Sequence, residues 1–144
     1  MTDKILASID AGTNSFHLLI AKAGENGRFE ILAREREVVR LGTGSKDMKF
    51  LTEDAISRGV ATLKRFKLIC ETYNAEIYAT GTSAIREALN KDVFINKVFN
   101  ETGINLEVIS GYEEARLIYL GTLKALPIFE KKILIHKLHL NLFQ

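Results

Sequence analysis

The sequence has one cysteine and one proline in 144 residues. Cys70 alone cannot form an internal bridge, which excludes a disulfide framework and suits a reducing compartment. No apolar run approaches the ~18 residues of a membrane span, and the chain reaches Asp10 before a signal-peptide core could form. The expectation is therefore a cytoplasmic protein with no membrane partner. Charge of one sign is scarce too: 20 Lys and Arg against 18 Asp and Glu leave +2, too little to argue for binding a nucleic acid polymer. Arg28, Arg34, Arg36, Arg40, Lys46 and Lys49 nevertheless make the early segment locally basic, either as a solvated strand face or as a surface for a polyanion. There is no internal repeat, low-complexity tract or linker. What is present is ordinary globular material, 47% hydrophobic and 26% charged. That suffices for one core burying roughly two thirds of the unfolded surface.

Residues 4–10 read as a buried strand, and Phe16, Leu18 and Ile20 alternate with His17 and Leu19 in a second. His17, placed among core residues, is expected to be a packed strand side chain. Gly24 to Gly27 closes a further hairpin and Arg28 to Val39 is a third strand, so the chain opens as an antiparallel meander. Thr52, followed by Glu53 and Asp54, predicts a helix N-cap with acids at the positive end of the dipole. Ile56, Val60, Leu63, Phe66 or Lys67, Cys70 and Tyr73 then recur at helical spacing, which makes Cys70 a buried face residue. "AEIYAT" reads as a strand, 83–90 and 92–101 as helices, "NLEVIS" as a strand and 111–126 as a helix ended by Pro127. Antiparallel strands followed by alternating strands and helices predict an α/β domain with a mixed sheet. After "EKKILI" the chain runs "HKLHLNLFQ", whose alternating leucines look like one more strand.

Three loops carry more polar chemistry than turning the chain requires. In Asp10 to Ser15 a carboxylate follows a strand, and Gly12 lets backbone N–H groups approach an anion closely. A plain hairpin uses the same residues. It is not a Walker motif, because no Gly-Lys-Ser/Thr follows. In "ATGTSAIREALN", Ser83 as N-cap would put Arg86 in a first helical turn, where a cation opposes the dipole and suits a phosphate held by helix amides. An exposed Arg86, or one paired with a neighbouring carboxylate, is the alternative. In "VISGYEEARLIYLG", Ser110 with Glu113 matches a capping box, which gives Glu113 a structural task and leaves Glu114 to face a cleft or solvent. A glutamate beside a phosphate can orient or deprotonate an attacking water. "RLGTG" at 40–44 is a lone G-x-G, more often a loop than a nucleotide site, although Arg40 suits a phosphate chain. His136 and His139 lack a third ligand nearby, so no metal site is expected there.

"DAGTNSFHLLIA", "ATGTSAIREALN" and "ISGYEEARLIYLG", in this order, resemble the exopolyphosphatase and guanosine pentaphosphate phosphatase (Ppx/GppA) family of the actin-like superfamily, over residues 5–126. "D-x-G-T" alone fits a sugar kinase equally well. The resemblance implies a ribonuclease-H-like fold, two such domains flanking a cleft in the complete enzyme. It further implies that Asp10 with Gly12, Thr13, Asn14 and Ser15 forms a phosphate loop and that Arg86 grips the phosphate chain. Glu114 is the implied general base. The implied reaction hydrolyses a terminal phosphoanhydride of polyphosphate or guanosine pentaphosphate and releases orthophosphate. Mg²⁺ is the implied cofactor, with Asp10 acting through metal or water.

Family members continue from a strand like "KKILI" into an Asp-x-Gly-Gly-Gly-Ser-Thr-Glu loop that supplies the opposite half of the site. These 144 residues hold no such loop. The expectation is a first domain over 1–126 and, over 127–144, the start of a second domain in a truncated or frame-shifted chain with little activity by itself. The leucines of that tail would favour homo-oligomers. Two other readings stand beside it: a non-catalytic fragment that binds a polyanion or a partner, and the first half of a sugar kinase, against which "SGYEEA" argues.

Overall fold

The computed structural model describes residues 4–24, 29–44 and 49–125. It divides into two compact units, Met1–Ile109 and Ser110–Gln144. In the first, β1 (Ile5–Ala11), β2 (Ser15–Ala23) and β3 (Phe29–Val38) form the antiparallel meander, followed by α1 (Glu53–Thr72), β4 (Glu76–Gly81), α2 (Ser83–Glu87), α3 (Lys91–Thr102) and β5 (Leu106–Val108). Strand order is β3-β2-β1-β4-β5, with β1 antiparallel to β2 and parallel to β4. The turn expected at 24–27 falls mostly on residues outside those described. The second unit's described part is α4 (Gly111–Ala125). Pro127 and the strand expected in the tail also lie outside the described residues.

Period-two alternation decides which side of the sheet is core. Ala7, Ile9 and Ala11 of β1 and Phe16, Leu18 and Ile20 of β2 are buried on one face, against Ala55, Leu63, Phe66 and Cys70 of α1 and Phe94 and Val98 of α3. α1 starts as the sequence predicts: the Thr52 hydroxyl accepts from the Ala55 N–H, with Glu53 and Asp54 in the first turn. α1 and α3 approach closely at Gly59, where a Cβ would lie 2.8 Å from the Phe94 ring. Cys70 is fully buried, and that burial pushes its thiol above the ordinary range.

Residues of the opposite parity face outward. His17 is exposed, contrary to expectation, because Phe16 and Leu18 take the core positions on either side of it. It sits in register between Asp10 of β1 and Arg36 of β3, while Leu19 sits between Ser8 and Arg34. Glu35 and Glu37, of the other parity, turn back to ion-pair with Arg65 of α1.

Candidate functional site

β1 has an antiparallel neighbour on one side and a parallel one on the other, so strand direction switches beside it. The chain also leaves β1 toward β2 on one side and returns through α1 to β4 on the other, and open α/β sheets take ligands at the carboxyl ends of strands where connections diverge in this way. Three polar segments meet there. In the β1–β2 loop the Gly12 N–H donates to the Ser15 carbonyl at 3.2 Å. A Cβ on Gly12 would lie 2.8 Å from that oxygen, so the close approach demands glycine.

The second segment, 39–43, clamps the loop from one flank. Leu41 N–H donates to the Thr13 carbonyl at 2.8 Å, and the Val39 and Arg40 N–H groups donate to the Asn14 carbonyl at 3.0 and 2.9 Å. Two carbonyls that would repel an anion are thereby turned into the fold. Arg58 of α1 holds this clamp in turn: Nε donates to the Val39 carbonyl at 2.9 Å and Nη2 to the Arg40 carbonyl at 3.2 Å. The third segment, 81–83, closes the other flank. Thr82 N–H donates to the Ala11 carbonyl at 3.2 Å, and the hydroxyls of Thr13 and Ser83 lie 2.7 Å apart across 70 residues of chain.

Ser83 is therefore not the cap of α2. Thr82 is the N-cap residue, and its own hydroxyl turns toward the Ala11 carbonyl, continuing the strand pairing instead of serving the helix. Arg86 likewise falls in the last turn of a helix only five residues long, so no first-turn dipole argument applies to it. Its Nη1 donates to the Ile109 carbonyl at 3.0 Å and its Nε pairs with Glu87 at 3.2 Å, which ties α2 to the end of β5. The buried Ser15 Oγ accepts from Arg36 Nη2 at 3.1 Å and from Asn14 Nδ2 at 3.4 Å. Ser8, Asp10, His17, Leu19, Arg34 and Arg36 line an open cavity of about 450 Å³ on the outer sheet face. Asp10 is exposed there and engaged by a neighbour.

In the second unit the Ser110 hydroxyl accepts from the Glu113 N–H at 3.1 Å. The Glu113 carboxylate forks onto Arg116, two bonds of 2.8 Å, instead of returning to the cap, and this pairing holds its carboxyl below the usual range. Glu114 N–H donates to the Ser110 carbonyl at 2.9 Å. Its side chain is half-buried and engaged by a neighbour.

The structure thus brings Gly12, Thr13, Asn14 and Ser15 together with Ser83, and puts Asp10 on the adjoining face. Arg36 was legible only as one of a run of basic residues, and Arg58 and the Thr13–Ser83 pair had no local signal. Arg58 reads in sequence as an ordinary i, i+4 partner of Asp54, and a contact across 70 residues has no spacing to announce it. Among the described residues no group of three or more His, Cys, Asp or Glu is placed to hold a metal, and no helix is long and apolar enough to cross a membrane.

A meander of three antiparallel strands continued by parallel β4 and β5 around this loop defines a ribonuclease-H-like domain of the actin-like ATPase class. The sequence model of the Ppx/GppA phosphatase family matches residues 19–135. The chain belongs to that family. It is 43% identical over 126 residues to a bifunctional 3-dehydroquinate synthase/phosphatase of Fusobacterium nucleatum, covering 83% of this chain and 19% of that protein. It is 38% identical over 118 residues to a guanosine-5'-triphosphate,3'-diphosphate pyrophosphatase of Photobacterium profundum, covering 81% of this chain and 24% of that one. The crystal structure of an exopolyphosphatase from Cytophaga hutchinsonii superposes with a TM-score of 0.82 at 42% identity, covering 86% of this chain and 40% of that chain. The chain spans well under half the length of each.

Proposed function

We propose that this chain is the first domain of a phosphatase that hydrolyses terminal phosphoanhydrides of polyphosphate or guanosine pentaphosphate, with residues 127–144 beginning the second domain. The observation that carries this is the Thr13–Ser83 contact, which holds the β1–β2 loop and the β4–α2 loop together at the carboxyl ends of β1 and β4. Family membership and the phosphatase and pyrophosphatase relatives support the reaction class.

In this reading the Gly12 turn and the buried Ser15 shape the loop, the Thr13 and Asn14 amides with the Thr13 hydroxyl seat the terminal phosphoryl group, and Arg86 grips the chain behind it after exchanging the Glu87 carboxylate for a phosphate. Glu114 orients and deprotonates the attacking water, and in-line geometry does most of the rest. Asp10 would hold Mg²⁺, directly or through a water, as one carboxylate and not as part of an all-protein cage. When bound, the ion neutralises charge on the phosphates. The opposite wall would come from the Asp-x-Gly-Gly-Gly-Ser-Thr-Glu loop, so these 144 residues bind phosphate chains but turn them over little, in the cytoplasm.

Tripolyphosphate binding by calorimetry, with orthophosphate release measured in parallel, tests the assignment. Binding should persist in Glu114→Gln and weaken in Arg86→Ala, with release near background throughout. Failure of the wild-type chain to bind tripolyphosphate would falsify this reading. Rapid release by the wild-type chain would remove the claim that one wall is insufficient.

A further inference from the structure

Among the described residues, two other than glycine adopt left-handed backbone, Arg40 at φ 52° and Asn74 at φ 51°. Asn74 follows the end of α1, where asparagine is a common occupant of that conformation. Arg40 has no such excuse. A long side chain gains nothing from a position that glycine fills without steric cost. The surroundings nevertheless hold it there with four hydrogen bonds. Its N–H donates to the Asn14 carbonyl at 2.9 Å, and its carbonyl accepts from Thr43 N–H at 3.2 Å, Thr43 Oγ1 at 2.8 Å and Arg58 Nη2 at 3.2 Å. Arg40 is exposed, and among the described residues its guanidinium takes no hydrogen bond or ion pair. The backbone of a residue whose cation has no partner among the described residues is thus fixed, in a conformation that disfavours it, one hydrogen bond from the β1–β2 loop. Sparsely populated backbone held in place by its neighbours is a mark of functional positions.

We propose that Arg40 is a phosphate-contact residue that takes a phosphate inward of the terminal one in a linear phosphate chain. The assignment rests on the phosphate reading of the loop. The loop has two flanks: Thr13 meets Ser83 on one, and Asn14 meets Arg40 on the other. A terminal phosphoryl group seated over residues 12–15 leaves the next phosphates to run along a flank, and Arg40 supplies a planar, always-charged fork on the side away from Ser83.

The test measures binding of sodium tripolyphosphate and of orthophosphate to the full chain by calorimetry, with the unfolding midpoint of each variant. Arg40→Ala should weaken tripolyphosphate about tenfold and orthophosphate by less than about twofold. Arg40→Lys should retain most of the affinity. Arg40→Gly should lose tripolyphosphate as Arg40→Ala does while its unfolding midpoint rises, since glycine relieves the left-handed backbone. Wild-type tripolyphosphate affinity in Arg40→Ala and Arg40→Gly, with weakened binding in Ser83→Ala, overturns the Arg40 assignment alone. Absence of tripolyphosphate binding by the wild-type chain overturns the phosphate site and the assignment together.

Discussion

Gly12 is fixed by geometry before chemistry enters. Its missing Cβ is what lets the Ser15 carbonyl come close enough to close the turn, since an added carbon would sit 2.8 Å from that oxygen. The obstacle is backbone, which has no rotamer to escape into. Gly12→Ala should therefore destabilise the domain by roughly 1–2 kcal/mol and reduce tripolyphosphate affinity with it, because the loop must open to admit the methyl. Chemical denaturation and calorimetry on one sample check this, and unchanged stability would mean that the turn relaxes freely. At this scale the sequence was readable where one residue's own chemistry sets its conformation, as in the turn at Asp10 to Ser15. It misled where a side chain's role depends on a distant partner. Ser83 looked like a cap because Ser before a helix usually is one, and only the fold supplies Thr13 as the competing partner. His17 looked like core because its neighbours are apolar, yet parity sends it to the opposite face from Phe16 and Leu18.

Between elements, the contact of α1 with α3 joins a packed centre to a charged rim. Gly59 admits the Phe94 ring, and at the rim Glu101 of α3 bridges Lys64 of α1 at 2.5 Å and Lys97 of its own helix at 2.8 Å. The hydrogen bonds from those two lysines lower the Glu101 carboxyl to about 2. An unfolded glutamate titrates near ~4.3, so the native state holds this carboxylate ionised more strongly than the unfolded chain does. The linked stability is fully present above ~4.3 and is lost as pH falls from there through about 2. Glu101→Gln should accordingly unfold at lower denaturant than the wild type at neutral pH, and the gap should close between ~pH 4 and ~pH 2. A gap that ignores pH would show that the effect is packing and not charge. Element type and order were legible throughout the described residues, because caps, alternation and helical spacing agree locally. Lengths were less so: "NLEVIS" keeps only Leu106–Val108 as strand, and 83–90 only Ser83–Glu87 as helix. β5 pairs with β4 only from Leu106 to Val108, and Asn90 leaves helix duty to exchange two hydrogen bonds with the Leu51 backbone, at 2.9 and 2.8 Å. Neither constraint leaves a periodic trace.

For the first unit as a whole, Cys70 reports on the integrity of the core. The only cysteine in the sequence is fully buried between α1 and the sheet, among Ala7, Ile9, Leu63 and Phe66. Burial raises its thiol pKa, which lowers the thiolate fraction at any working pH and adds chemical protection to steric protection. A thiol reagent can reach it only when α1 lifts away, and α1 carries much of the core, so labelling requires an opening close to global unfolding. Native-state labelling of the wild-type chain should therefore be slower than that of a free thiol by a factor close to its folding equilibrium constant. Each 1.4 kcal/mol of destabilisation should speed it about tenfold. Gly12→Ala, with its expected loss of roughly 1–2 kcal/mol, should label about five to thirty times faster than wild type, although the substitution lies in the β1–β2 loop and not on α1. If the two strands of the β1–β2 hairpin open separately from α1, the rate will not follow the substitution. That result would divide the domain into a hairpin and a helical part with separate stabilities, and the β1–β2 loop, bonded to residues 39–41 and to Ser83, would then sit at the junction between them.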